Sequence, residues 1–272
     1  MKAKLLNQKG NKLSFVLEEA SPAFVNALRR TASEDVPTMA IEMVEFRKNS
    51  SALYDETVAH RMGLLPLKTD LKSYNLPERC QCGGEGCARC QVKLTLTAKG
   101  QKSGAVVRAE DIKTKDPAIV PAFPKTPVVK LFEGQEIEAE MTAVLGTGKV
   151  HTKWAPGHVY FRQLPTVTIS KKGEGMLECE RLCPTQVFES KNGKLMVRQN
   201  GEQDCILCGA CVDASEGEVK VLTNKENYVV YVESWGQLPP EDIIEQSIAI
   251  LDEKADDLIA TLKGRVKQKA KA

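Results

Sequence analysis

Nine cysteines carry most of the chemistry that this chain of 272 residues offers, and they fall into two groups. The first group lies in the stretch CQCGGEGCARC, where Cys80 and Cys82 are joined to Cys87 and Cys90 by a glycine-rich turn. Four thiolates at this spacing are typical of a zinc ion with a closed tetrahedral coordination sphere. A closed sphere leaves no position for a reactive water, so we predict structural zinc. A reduced loop without metal is the alternative.

The second group contains the stretch CILCGAC, in which Cys205, Cys208 and Cys211 are each separated by two residues. Bacterial-type ferredoxins bind [4Fe–4S] clusters through this spacing, and a cysteine followed by proline supplies the fourth ligand from elsewhere in the chain. Cys183 precedes a proline in this sequence. We therefore predict that Cys183, Cys205, Cys208 and Cys211 bind one [4Fe–4S] cluster. Zinc is the alternative, because paired cysteines bind both metals.

A second cluster of the ferredoxin type is not predicted. Gly173, Met176 and Ser215 stand where a two-cluster ferredoxin carries further cysteine ligands. Of that second ligand set only Cys179 is left. We interpret Cys179 as a thiol without a ligand role.

Composition excludes several classes of function. The chain has 38 Lys and Arg against 36 Asp and Glu, and a net charge of +2 predicts no extended nucleic-acid or membrane surface. The basic tail KGRVKQKAKA is interpreted as a solvated helix end. Neither a long apolar run nor a signal sequence is present, which predicts a cytoplasmic protein. No phosphate loop, HExxH motif or paired catalytic carboxylates are found, so we expect no catalytic residues.

The elements that must position the cysteines begin with two strands around a turn at Gly10. Ser21 and Pro22 are typical of a helix start, and Val36-Pro37 predicts its end. A half-buried strand over MAIEMVEFRKNSS and a short helix that ends near Gly63 follow. Alternating apolar residues over 92–150 predict a β-rich region.

A long amphipathic helix is predicted at the end of the chain, beginning in the Pro-Pro-Glu-Asp stretch at residues 239–242. Its apolar positions repeat every three or four residues, as in a heptad seam: Ile244, Ile248, Leu251, Ala255, Leu258 and Leu262. Packing on the chain's own sheet explains part of so wide a stripe. A helix from another chain explains the rest, and the sequence alone does not apportion the two.

The stretch NALRRTASEDVPTMAIEMVEFRKNSSALYDETVAHRMGLLPL, residues 26–67, is more specific. It resembles the α-type assembly subunits of multisubunit RNA polymerases, which include bacterial α and the third subunit of eukaryotic RNA polymerase II. The resemblance extends to GKVHTKWAP, to the closing strand and helix and to the zinc loop, whose middle spacing is one residue longer here. With the iron–sulfur segment, the chain is most similar to the archaeal, D-type members of this family.

This resemblance implies an α+β fold with three parts. They are an α-subunit-like discontinuous dimerisation domain over 1–43 and 222–272, a β-rich insert domain with the zinc loop over 44–165, and a ferredoxin-like insert over 166–221. It implies a non-catalytic assembly subunit that forms a heterodimer with subunit L and then meets subunits N and P and the second-largest subunit, with only indirect contact to DNA. The implied dimer contacts are Phe24, Leu28, Ile244, Ile248, Leu251, Leu258 and Leu262.

The cluster leaves two other hypotheses open. One is a ferredoxin-like electron carrier, which would leave most of the chain without a task. The other is a redox-sensing role in assembly, in which the cluster stabilises or regulates the module of residues 171–221. Because ligand binding contributes directly to folding, we expect cluster loss to loosen that module and to leave the closing helix intact.

Overall fold

The computed structural model describes the backbone of residues 1–269 and the side chains of residues 1–263, so almost all of the basic tail lies outside the described side chains. The strands are β1 (Lys2–Lys9), β2 (Lys12–Glu18), β3 (Pro37–Asn49), β4 (Gln91–Lys99), β5 (Ala105–Arg108), β6 (Lys113–Thr114), β7 (Pro127–Leu131), β8 (Glu136–Thr147), β9 (Gly157–Ile169), β10 (Phe188–Lys191), β11 (Lys194–Val197) and β12 (Val219–Ser234). The helices are α1 (Pro22–Glu34), α2 (Asp55–Gly63), α3 (Glu178–Leu182), α4 (Gly201–Asp204), α5 (Ala210–Ala214) and α6 (Pro240–Lys269).

Local signals in the sequence explain where several elements begin and end. Gly10 has φ +55°, the left-handed conformation of a tight turn, between β1 and β2. The Ser21 hydroxyl accepts a hydrogen bond from the Phe24 N–H at 3.2 Å, which confirms Ser21 as the N-cap of α1. Helix α2 ends at Gly63, as predicted. No helix among the described residues is both long and apolar enough to cross a membrane.

The chain divides into two compact units, and each is formed by discontinuous segments. The first unit comprises residues 1–8, 14–26 and 160–231, and the second comprises 9–13, 27–159 and 232–272. The fold is therefore a mixed one, in which antiparallel sheets and helices occur in both units.

The first unit contains a four-stranded sheet in the order β1–β2–β12–β9 and the separate hairpin β10–β11. In the hairpin, Phe188 pairs with Val197 and Lys191 pairs with Lys194. Between β9 and β12 the chain forms a small cysteine-containing core, whose buried residues are Val167, Cys179, Val187, Phe188, Leu195, Cys205, Cys211 and Val219. Three of these eight residues are cysteines, so the core is small for a stable module without a bound group.

The second unit contains the sheet β3–β8–β4–β6 and the pair β5–β7. Strand β8 is central, pairing Ala143 with Ile41 of β3 and Met141 with Leu94 of β4. Both partners are antiparallel, and their buried side chains form an extensive hydrophobic core together with α2. The β-rich region predicted for residues 92–150 is confirmed.

In the second unit the backbone of Gly146 lies close to the Trp154 ring, and this contact leads to a prediction about stability. A Cβ atom on Gly146 would lie 2.4 Å from the Trp154 ring, and that ring is 6% exposed and has little room to move. We expect Gly146→Ala to lower the free energy of unfolding by about 1–3 kcal/mol, as other overpacked sites do. Urea unfolding followed by tryptophan fluorescence measures the change. Gly63→Ala is the control, because its Cβ would meet the nearest atom at an ordinary 3.5 Å; equal loss in both variants would contradict the packing argument.

Candidate metal centres

The first cysteine group forms a compact set of four sulfur atoms. The Sγ atoms of Cys80 and Cys87 are 3.5 Å apart, those of Cys82 and Cys90 are 3.6 Å apart, and those of Cys87 and Cys90 are 3.9 Å apart. All four lie within 4.8 Å of one another. Four thiolates about 2.3 Å from a central zinc ion would be about 3.8 Å apart at tetrahedral angles. The arrangement therefore fits one tetrahedral ion.

Backbone geometry brings these sulfur atoms together. The Cys87 N–H donates to the Cys90 sulfur at 3.2 Å, and the Arg89 N–H donates to the Cys87 sulfur at 3.4 Å. Gly86 has φ +97°, and a Cβ there would lie 2.7 Å from the Gln91 side chain, which donates to the Gly86 carbonyl at 3.2 Å. The turn between the two cysteine pairs thus needs glycine for its conformation and for its space.

The surroundings shift the pKa values of two of these thiols in opposite directions. Hydrogen bonding from the Gly86 backbone and from the Cys80 thiol lowers the pKa of Cys82 to about 6. Burial raises the pKa of Cys90 to about 12. A metal ion must therefore displace a proton from Cys90, and metal binding by this loop weakens as the pH falls.

The strained turn gives a second prediction. Gly86→Ala is expected to weaken zinc binding about tenfold, because a Cβ must be held at positive φ and against Gln91. Competition between the chain and a chromophoric zinc chelator measures the affinity. Glu85→Gln changes a non-ligand residue in the same turn and is expected to leave the affinity unchanged; a similar loss in that variant would show that the glycine geometry is not the cause.

An ion pair joins this loop to the closing helix within the second unit. Arg79, directly before Cys80, donates to the Glu253 carboxylate of α6 at 2.7 Å. Both side chains are about half exposed, so the pair adds little stability by itself. It does fix the part of α6 beside which the cysteine loop lies.

The second cysteine group lines a cavity in the first unit. Cys183, Cys205, Cys208 and Cys211 all line one narrow pocket, whose volume is about 10 Å³. The remaining lining residues are mostly apolar: Val167, Thr185, Val187, Phe188, Ile206, Gly209 and Val221. Cys205 and Cys211 are buried, whereas Cys208 is exposed. The structure thus brings together the four cysteines that the ferredoxin spacing selects.

The two cysteine groups differ in how tightly their sulfur atoms gather. Among the residues that the structure describes, only the first group reaches the mutual distances that a single ion needs. A [4Fe–4S] cluster binds each thiolate through a different iron atom, so it spreads its four ligands farther apart than one ion does. Burial raises the pKa of Cys211 to about 11, as expected for a thiol that faces an apolar cavity. The four thiols of the second group therefore share one pocket without gathering around a single point.

Ser215 and Cys179, which stand where a second cluster of the ferredoxin type would be bound, are packed into the module's own core. Ser215 is fully buried, and its hydroxyl accepts from the Val219 N–H at 2.9 Å and donates to the Val212 carbonyl at 3.3 Å. Cys179 is also fully buried, with its sulfur 3.6 Å from the Cys211 carbonyl oxygen. The Ser215 hydroxyl and the Cys179 thiol are thus each hydrogen-bonded to the backbone, so neither of them points to a further ligand.

The closing helix changes its surroundings along its length. Ile243 and Ser247 are fully buried, but every residue from Asp252 to Lys263 is exposed. Four large apolar side chains of this helix are between 45% and 61% exposed: Ile248, Leu258, Ile259 and Leu262. The chain's own core covers only the first turns of the predicted seam.

The remaining residues of the implied dimer contact are less exposed. Phe24, Ile244 and Leu251 are half-buried. Leu28 is 2% exposed and belongs to the chain's own interior, so its side chain has no surface to offer a partner. Within the motif at residues 26–67, Arg30 pairs with Glu34 at 3.4 Å, and Arg61 donates to the Pro127 carbonyl at 2.9 Å. Both arginines have local structural contacts.

Known proteins match this chain both over its β-rich region and over nearly its full length. Residues 44–158 match the family described as the RNA polymerase Rpb3/RpoA insert domain. A DNA-directed RNA polymerase subunit Rpo3 from Archaeoglobus fulgidus is 37% identical over 93% of this chain and 95% of its own length. Subunits of the same name from Methanosarcina acetivorans and Pyrococcus horikoshii are 33% and 34% identical, each over 96% of this chain and 98% of the relative.

The match therefore covers nearly the whole of both chains. Identity above 30% over such a length leaves no large segment of this chain outside the alignment. The chain belongs to the family of archaeal DNA-directed RNA polymerase subunits named Rpo3.

Proposed function

We propose that the chain is the D-type, α-like assembly subunit of an archaeal RNA polymerase, and that it pairs with a smaller α-like partner, subunit L. The exposed apolar side chains of α6, Ile248, Leu258, Ile259 and Leu262, carry this proposal. A helix that keeps such a stripe in water needs a partner, and a heptad spacing favours another helix. The heterodimer then meets subunits N and P and the second-largest subunit. The chain itself supplies no catalytic residue.

We further propose one structural zinc ion on Cys80, Cys82, Cys87 and Cys90. The sulfur distances of 3.5–3.9 Å and the glycine turn support this assignment. With four thiolates the coordination sphere is closed, so the ion stabilises the loop and offers no site for a substrate. The Arg79–Glu253 pair places this loop beside α6, next to the proposed contact.

The second proposed group is one [4Fe–4S] cluster on Cys183, Cys205, Cys208 and Cys211. The thiol-lined cavity supports it, and the small core around that cavity explains why the module would need it. When bound, the cluster supplies four iron–thiolate bonds that hold two chain segments together. We also propose that the three domains meet between residues 43 and 44, between residues 165 and 166, and between residues 221 and 222.

Mixing the chain with purified subunit L tests the assembly role. A single species with one copy of each chain in size-exclusion chromatography with light scattering is expected. Two separate peaks at micromolar concentration would contradict the proposal. The isolated chain is expected to show no nucleotidyl transfer, and RNA synthesis by it alone would overturn the assignment as a scaffold.

Exposure of Cys208 favours a second candidate function for the cluster, namely redox sensing or electron transfer. An exposed ligand shortens the path between a cluster and an external electron carrier. Reversible reduction of the holo chain with a change in its affinity for subunit L would favour redox sensing. Equal affinity of the oxidised and reduced forms would leave the cluster a structural role alone.

A further inference from the structure

Arg198 lies between the two chain segments that provide the proposed cluster ligands. Cys183 comes from the turn after α3, whereas the other three ligands follow α4. The Arg198 Nε donates to the Gln186 carbonyl at 2.9 Å, and a terminal nitrogen of the same guanidinium donates to the Asp204 carboxylate. One side chain thus bridges both ligand segments.

Each end of this bridge leads directly to a cysteine. The Gln186 N–H donates to the Cys183 carbonyl at 3.2 Å, and the next N–H, from Val187, donates to the Cys183 sulfur at 3.3 Å. At the other end, Asp204 is bonded in sequence to Cys205. Gln186 has φ +54°, an unfavourable conformation for this residue that the Arg198 contact helps to hold.

The arginine is itself anchored by its backbone. Its N–H donates to the Val187 carbonyl at 2.9 Å, and its carbonyl accepts from the Gly201 N–H at 2.8 Å, at the start of α4. These two backbone hydrogen bonds therefore hold the Arg198 backbone close to both ligand segments. A planar guanidinium presents donors in a rigid fork, so it sets the distance between a carbonyl and a carboxylate, which a lysine does not.

We propose that Arg198 is a positioning residue for the cluster, and that it holds the Cys183 and Cys205 segments in register. This inference rests on the proposed [4Fe–4S] site. Groups that orient metal ligands from outside the coordination sphere alter metal affinity about ten- to a hundredfold when they are replaced. Arg198 has such a place, because it touches no sulfur atom in the described contacts and acts through the two segments that carry them.

The test compares the anaerobically purified chain with its Arg198→Gln variant. The rate of iron transfer to an excess of chelator is followed by visible absorbance, and the reduced cluster is examined by electron paramagnetic resonance. We expect iron loss from Arg198→Gln to be about ten- to a hundredfold faster, with an altered resonance spectrum, since the geometry of the iron–thiolate bonds changes. Equal rates and identical spectra would overturn the inference.

Matched variants separate positioning from a general loss of charge. Lys194→Gln removes another cation of the same hairpin, which pairs with Glu174 at 2.7 Å, and wild-type behaviour is expected. If Lys194→Gln releases iron as fast as Arg198→Gln, the inference is wrong. Arg198→Lys keeps the charge but not the fork, so only partial recovery of the wild-type rate is expected.

Two further outcomes remain decisive. If Arg198→Gln does not fold, Asp204→Asn weakens only the Cys205 end of the bridge, and an intermediate rate of iron loss is expected; a wild-type rate there would overturn the inference. If the wild-type chain contains no iron and no sulfide, the cluster assignment fails first, and the inference falls with it. That result is distinct from a loaded wild-type chain whose iron loss is unaffected by Arg198.

Discussion

Replacing Cys205 with serine is expected to reduce the iron content of the chain from about four atoms to nearly none. Cys205 is 7% exposed and lines the cavity with three other thiols, so no neighbouring cysteine can move in to replace it without rebuilding the core. Iron, labile sulfide and the visible spectrum of the anaerobic chain measure the result. The zinc content is expected to remain at about one atom.

Cys179→Ala is the matched control for this loss. Cys179 belongs to the same small core and is fully buried, but it does not line the cavity. We expect this variant to keep its iron. Loss of iron from Cys179→Ala together with retention in Cys205→Ser would overturn the ligand assignment.

Loss of the cluster is also expected to act locally. Two of the proposed ligands, Cys205 and Cys211, belong to an eight-residue buried core, so we expect the free energy of cluster binding to be a large part of the folding free energy of this module. Hydrogen exchange should therefore accelerate over residues 171–218 and remain slow in the β3–β8–β4 sheet. Binding to subunit L should survive. If exchange accelerates equally in both units, or if binding is lost, the module is not separable.

The sequence predicted how the cysteines are grouped better than it predicted the side chains around them. Thiolate spacing is a local property, so CQCGGEGC and CILCGAC could be read without knowledge of the fold. Cys183 was found through the proline that follows it. Arg198 was missed, because its two acceptors are a backbone carbonyl and a carboxylate whose proximity depends on how the hairpin packs.

For the fold as well, features that depend on neighbouring residues were predicted, whereas burial that depends on distant contacts was not. The hairpin at Gly10, the Ser21 cap and the end of α2 at Gly63 follow from local backbone preferences and were predicted. Leu28 was expected to face a partner but lies in the interior. Apolar periodicity marks a helix face without showing whether the same chain or another chain covers it.

For α6 the structure shows which part of the stripe the chain itself covers, and the result gives the second large prediction. Ile243 and Ser247 face the chain's own core, whereas Leu258 and Leu262 are 61% and 55% exposed. At 100° per residue, these two leucines lie within about 40° of each other on the helix, and Leu258 lies about 20° from Ser247, so they continue the buried face farther along the helix. The chain's own core leaves this part of the stripe uncovered, and we propose that subunit L covers it.

Replacing both Leu258 and Leu262 with aspartate is expected to weaken binding to subunit L at least about a hundredfold. Burying one leucine contributes about 1.5–3 kcal/mol, and every 1.4 kcal/mol is a factor of about ten in affinity. Two buried carboxylates would add a desolvation cost. Both side chains are exposed in the free chain, so its own stability should change little. Isothermal calorimetry or analytical ultracentrifugation of the mixed chains measures the affinity.

Ala260→Asp provides the control on the same helix. Ala260 is exposed and lies about 160° from Leu262 around the helix axis, so a carboxylate there faces away from the stripe. It adds a charge of the same kind to a neighbouring turn, and unchanged affinity is expected. Tight binding by the double aspartate variant would show that the partner does not use this stripe. A loss in both variants would instead mean that negative charge anywhere on α6 opposes binding, and that the apolar contact is not what holds the heterodimer together.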